Sequence, residues 1–294
     1  MRFLVLLGLC FASVGEAKVN VVATVSDLGV IAREVGGEHV NVSILAKATQ
    51  DPHFVDAKPS LVVMLSRADL LLLAGMDLEI GWLPVLLTGS RNGKIQPGTS
   101  GYLDASTLVA PKEVPLAKLD RSMGDVHPGG NPHYTKDPRN ALLVAKGIAE
   151  RLSALDPEHR AAYLSQAKAF SEHLEGRIAQ WEKALAPFKG TPVVAYHKSW
   201  IYFVDFAGLE EVAFVEPKPG LPPSTGHVAQ VLQVIRARKV PLILQEEWYP
   251  ASTSELLAHN SGAKLVRVPG MAGESQRYSA HLEAVVTAVV QALR

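Results

Sequence analysis

The stretch 156–185, DPEHRAAYLSQAKAFSEHLEGRIAQWEKAL, decides how the rest of the chain is organised. Pro157 suits a first helical position behind Asp156, and from there to Leu185 Gly176 is the one interruption by glycine or proline. Ala161, Leu164, Ala167, Phe170, Leu174, Ile178, Trp181 and Leu185 recur at spacings of three and four, the mark of one apolar stripe on a helix. At 1.5 Å per residue such a helix is on the order of 40 Å long, enough to run the length of a two-lobed protein.

A βα rhythm runs on both sides of it. Upstream, Val19–Val25, Val40–Leu45, Leu70–Ala74 and Gly101–Leu103 read as strands. Helices are expected over Leu28–Val35, with Ser26-Asp27 as cap and Gly36-Gly37 as stop, over Pro59–Arg67 and over Pro138–Leu155. The proline- and glycine-rich stretch Ala105–Pro132 reads as loop. Downstream, strands fall at Val193–Tyr196, Val212–Val215, Pro241–Leu244 and Lys264–Val268. The helices there fall near Ser199–Phe206, Thr225–Arg238, Ser252–Asn260 and Tyr278–Leu293. Strands alternating with helices imply parallel sheets. The expected fold is α/β: two lobes, each a parallel β-sheet flanked by helices, joined by one long backbone helix. Residues 18–155 form the first lobe, 156–186 the linking helix and 187–294 the second lobe.

The 294 residues include 48% apolar and 20% charged side chains with no formal net charge, so a sizeable core forms and no basic surface for nucleic acid is expected. Residues 1–17 read as a secretory signal: Arg2, the apolar run Phe3–Ala12, and small residues Gly15 and Ala17 at the cleavage point. A lipid anchor at Cys10 requires a small residue before it, and Leu9 stands there. The mature chain is therefore expected to be extracytoplasmic, not a lipoprotein, free of cysteine, and a monomer.

Of ten histidines, His159, His173 and His281 sit in amphipathic helices and read as solvated, and His39, His227 and His259 as ordinary turn or helix-end residues. His53, His133 and His197 each follow a strand or open a helix after a loop, and in parallel sheets ligands lie beyond the carboxyl ends of strands. Asp51-Pro52-His53 and Asn131-Pro132-His133 share one shape, a side chain able to bond local backbone and a proline fixing φ before the histidine. Three imidazoles plus one further donor complete a tetrahedral site for zinc or a neighbouring divalent metal. The long separations match no short zinc motif.

Three segments resemble the metal-binding solute-binding proteins of zinc and manganese ABC importers, the cluster A-I family. They are DPHFVDAKPS (51–60), NPHYTKDP (131–138) and YHKSWIYF (196–203), and their order, with the long helix between, extends the resemblance over the whole mature chain. The resemblance implies a two-lobed carrier, not an enzyme, that captures the ion between its lobes and delivers it to a membrane permease. A histidine in the third position is similar to the zinc branch, so zinc is expected as cargo, with manganese as the alternative. The family's usual tryptophan after the second ligand is replaced by Thr135 and Lys136, and the lysine is expected to point to solvent. Val268 stands where many members have a ligating aspartate. Glu246 is taken as the fourth ligand, with Glu247 or water as alternatives. His127 reads either as an accessory ligand or as an ordinary loop residue. A zinc hydrolase using the same histidines with Glu246 or Glu247 as base is a competing reading, as is a carrier of a chelated ligand, which predicts a wide cleft without histidine convergence.

Overall fold

The computed structural model describes residues 17–115, 127–218 and 220–294. The secretory segment, apart from Ala17, lies outside the described residues. In chain order the elements are β1 (Val19–Val25), α1 (Ser26–Gly36), β2 (Val40–Ala46), α2 (Pro59–Ser66), β3 (Leu70–Leu73), α3 (Leu83–Ser90), β4 (Tyr102–Asp104) and α4 (Pro138–Leu155). There follow α5 (Arg160–Leu185), β5 (Pro192–Ala195), α6 (Ile201–Ala207), β6 (Glu210–Phe214), α7 (Thr225–Arg238), β7 (Leu242–Glu246), α8 (Ser252–Ser261), β8 (Lys264–Val268) and α9 (Tyr278–Leu293).

The strands make two parallel four-stranded sheets of the same topology, β2-β1-β3-β4 and β6-β5-β7-β8. Helices cover both faces of each sheet, which explains why the central strands are apolar throughout rather than alternating: Leu70–Leu73 is buried at all its positions. Val22, Leu65, Leu71 and Trp82 form an outer core on one sheet, and Val194, Ile235, Ile243 and Leu257 form its counterpart on the other. Between the sheets one continuous core joins α1, α4, α5, α6 and α9 to the inner faces of both.

Helix α5 is the expected long element, opened by a 3-10 turn at Pro157–His159. Its buried stripe is Tyr163, Ala167, Phe170, Leu174, Ile178, Trp181 and Leu185, whereas Leu164 is 42% exposed. The expected stripe drifts at its start because repeated steps of three lose about 60° each on a helix of about 100° per residue. Ala161 is thereby turned to the face opposite Phe170. Helix α3 was not foreseen. Its sequence LPVLLTGS is short and carries Pro84 and Gly89, and packing against α2 and the outer core makes it a helix.

Ser26 and Asp27 do not cap α1. They tie the lobes together instead. Ser26 Oγ donates to Ala272 O, Asp27 Oδ1 accepts from Ala272 N at 2.7 Å, and Asp27 Oδ2 accepts from Thr135 Oγ1 at 2.7 Å. Tyr278 OH donates to Thr135 O and Arg277 pairs with Glu34 at 2.9 Å. His281, expected on a solvated face, is 5% exposed because α9 packs that side into the central core, and burial lowers its pKa. Among the described residues no helix is long and apolar enough to cross a membrane.

Glu79, just beyond β3, is buried with its carboxyl accepting from Thr24 Oγ1 and from the amides of Ala74 and Gly75. Burial outweighs those bonds and pushes its pKa up to about 7 from an ordinary 4.5. The folded chain thus holds a proton that the unfolded chain loses at lower pH, and this contribution to stability falls as pH rises through that window. Glu79→Gln, which does not titrate, is expected to gain stability relative to the wild type, on the order of 3 kcal/mol, between about pH 4.5 and about pH 7. Paired thermal melts check this; a difference that stays flat with pH shows the carboxyl to be already charged in the fold.

Candidate metal centre

His53 lies in the loop that leaves the carboxyl end of β2. Asp51 Oδ1 accepts from His53 N at 3.0 Å and from His53 Nδ1 at 2.7 Å, so one carboxylate oxygen fixes both the backbone and the ring. Trp82 Nε1 donates to Pro52 O at 2.9 Å and anchors the loop to the outer core. His133 repeats the device with an amide: Asn131 Oδ1 accepts from His133 N at 3.1 Å and from Nδ1 at 2.9 Å. The Asn131 amino group donates to Lys198 O at 2.7 Å and to Glu113 Oε2 at 2.9 Å, tying this loop to the segment that holds the third histidine. His197 follows β5 and its Nδ1 donates to Glu216 Oε2 at 2.7 Å.

Each histidine thus uses Nδ1 as a donor, which leaves the Nε2 lone pair facing away from the partner. The rings form a nearly equilateral triangle, with centroids 5.3 Å apart for His53–His133, 5.2 Å for His53–His197 and 5.4 Å for His133–His197. One ligand atom from each lies within 4.8 Å of the others, the geometry of a metal cluster. His53 and His197 side chains are only 6% and 4% exposed. Burial, with the neighbouring histidines and Lys136, holds the His133 pKa well below the ordinary range, so this ring stays neutral and able to ligate.

His127 lies against His53 at the edge of the three-histidine cluster. Its Nε2 lies 3.3 Å from His53 Nε2, and the two rings stack with centroids 5.3 Å apart. Two nitrogens on one tetrahedral zinc, each at about 2.0–2.1 Å, stand about 3.3–3.4 Å apart. Burial and the His53 and His197 rings push its pKa down to about 3.

Glu246 is fully buried at the end of β7 and Glu247 is exposed, as alternate strand residues should be. The Glu246 carboxylate is not part of the three-histidine cluster. Its Oε1 accepts from Ser199 Oγ and pairs with Lys136 Nζ at 3.3 Å. Lys136, expected to face solvent, is 7% exposed. Its ammonium donates to Gly270 O at 3.0 Å and lies 4.3 Å over the Trp200 ring, and these partners with Glu246 outweigh hydration.

Glu216 is the residue that sequence reasoning missed. Its signal is a carboxylate just beyond a strand end, and its role depends on β6 lying beside β5. Beyond the histidines, a cleft of about 230 Å³ is lined by Asp51, Phe54, Glu216, Tyr249 and Pro222. Tyr249 is 5.8 Å from His197, and burial together with Glu246, Asp51 and Glu216 keeps its hydroxyl protonated. The cleft is small for a chelate and the histidines converge, which opposes the chelated-ligand reading.

Comparison with known proteins follows the same lines. The chain is 24% identical over 249 residues to the zinc-binding lipoprotein AdcA of Streptococcus pneumoniae, covering 85% of this chain and 49% of AdcA, so it spans about half the length of that relative. It is 27% identical to the manganese ABC transporter substrate-binding lipoprotein scaA of Streptococcus gordonii, covering 83% and 81% of the two chains. A crystal structure of ZnuA superposes with a TM-score of 0.80 at 25% identity, covering 94% of this chain and 99% of that one. The family described as ZnuA, zinc-uptake complex component A, periplasmic, matches residues 21–292, and the chain belongs to it.

Proposed function

We propose that this protein is an extracytoplasmic solute-binding protein that captures zinc between its lobes and delivers it to the permease of an ABC importer. The observation behind the reading is the clustering of His53, His133 and His197, one ligand atom of each within 4.8 Å of the others, with every Nδ1 committed to a partner so that Nε2 is left to ligate. His127 is the fourth ligand in this proposal, on the strength of its 3.3 Å approach to His53 Nε2. Relatives are named for zinc, manganese and iron. Four imidazoles favour zinc, because manganese prefers oxygen donors. We assign the ion as cargo rather than catalyst: Glu246, one candidate base, is paired with Lys136, and Glu247 faces outward. The relatives are named lipoproteins, whereas in this chain Leu9 stands before Cys10.

Zinc at a hundredfold excess over its dissociation constant is expected to stabilise the protein by about 2.7 kcal/mol, on the order of 5–10 °C in Tm. No thermal shift with saturating zinc contradicts the carrier reading. His133→Ala is expected to weaken zinc binding by more than about 100-fold in competitive titration, and unchanged affinity removes His133 from the site. Glu216→Ala leaves the ligand in place but frees its ring, so a loss of about 10- to 100-fold is expected. An unaltered dissociation constant there means that the His197 ring is oriented by other contacts.

A further inference from the structure

Lys136 follows His133 by three residues, yet its ammonium reaches into the second lobe, to Gly270 O, the Glu246 carboxylate and the Trp200 ring. Glu246 ends β7, and Ser199, which shares its Oε1, stands two residues after His197. Tyr196 N donates to Leu244 O, so the end of β5, two residues before His197, and the end of β7, at Glu246, are neighbours. Among the described residues Glu246 Oε2 has no hydrogen-bond partner although the residue is fully buried.

A buried carboxylate with a free oxygen is stabilised by a nearby cation, which offsets part of its lost hydration. Two cations can serve here, the ammonium of Lys136 and an ion at the histidine cluster. The other carboxylates at the site, Asp51 and Glu216, are already committed to imidazole N–H groups. Glu246 is therefore the carboxylate left to shift the donor set from nitrogen towards oxygen, and that shift decides between a borderline ion and a hard one.

We propose that Lys136 is the specificity-determining residue of the site: by pairing with Glu246 it keeps a carboxylate oxygen out of the coordination shell and so favours zinc over manganese. The inference rests on the carrier reading given above. Removing a positive charge near the site strengthens binding of every divalent ion, so the ratio of zinc to manganese affinity, and not either affinity alone, reports the donor set.

The test is competitive titration of the full mature chain with Zn²⁺ and with Mn²⁺. Lys136→Met is expected to raise manganese affinity relative to zinc by about tenfold or more, Lys136→Arg to keep the wild-type ratio, and Lys136→Met with Glu246→Gln to lose the gain. A Lys136→Met ratio within about threefold of wild type overturns the inference, as does a gain that survives in the double variant. A purely structural role for Lys136 lowers both affinities together and leaves the ratio in place, which also overturns it. Should Lys136→Met not fold, Lys136→Gln retains a donor for Gly270 without the charge and is read by the same ratio. A wild-type chain that binds neither ion stoichiometrically defeats the carrier reading beneath, whereas one that binds zinc with an unmoved ratio in the variants defeats this inference alone.

Discussion

An imidazole offers one nitrogen to an ion, and the hydrogen bond made by the other nitrogen selects which. Asp51, Asn131 and Glu216 each accept from an Nδ1, and the three Nε2 atoms are thereby turned to a common centre. The rest of the protein can be understood as support for those three acceptors. Asp51 and Asn131 also accept the backbone N–H of the histidine two residues on, so each of these loops is a closed local unit. Trp82 fixes the first loop to the outer core, and Tyr202, whose hydroxyl donates to Asn131 O, fixes the second. Because Glu216 follows the strand next to β5, the His197 ring is oriented by sheet pairing instead of by its own loop.

Charge around the centre is arranged with the same economy of carboxylates. Burial keeps His127 and His133 neutral, which suits ligands that must offer lone pairs. The two acidic acceptors, Asp51 and Glu216, lie behind the rings and add negative potential without entering the cluster, raising the basicity of the imidazoles they hold. Lys136 and Glu246 form a neutral pair inside the protein, so a lysine close to a ligand is tolerated beside a site for cations. Oriented imidazoles and a balanced buried pair meet at the turn Tyr134–Lys136, which joins His133 to the lysine that pairs with Glu246.

The parts legible in the sequence were those whose cause is local. The strands and most helices follow from apolar runs and from proline and glycine stops, and the Asp/Asn-Pro-His shape of two ligand loops depends on contacts two residues apart. What escaped depends on partners far along the chain. Glu216 meets His197 across 19 positions, and Lys136 meets Gly270 across 134, so neither pairing has a local signature. A lysine with no visible partner reads as solvated, and here its partners arrive from β7 and the turn after β8. Ser26 and Asp27 misled in the opposite sense: their types suit a helix cap, but Ala272, 245 positions from Asp27, claims them. Tyr163 displaced Leu164 from the α5 stripe for a geometric reason, the 100° step, that a spacing rule of three or four only approximates.

The contacts between the lobes also bear on how such a site exchanges its ion. Asp27 holds Ala272, Asn131 holds Lys198, and Lys136 holds Gly270, and none of these bonds involves a ring nitrogen of the three-histidine cluster. With α5 packed into a core shared by both sheets, opening the lobes as rigid bodies costs many buried contacts at once. Displacing a ligand loop costs fewer. Asp51 and Asn131 hold their histidines from two residues away, whereas the His127 ring is held from far along the chain, by the backbone of Met76, and stands before Pro128, Gly129 and Gly130, the last with φ of 109°. On the carrier reading proposed above, the orientation of the three rings is thus kept apart from the contact that joins Asp27 to Ala272, so rings and lobe contact are set by different residues.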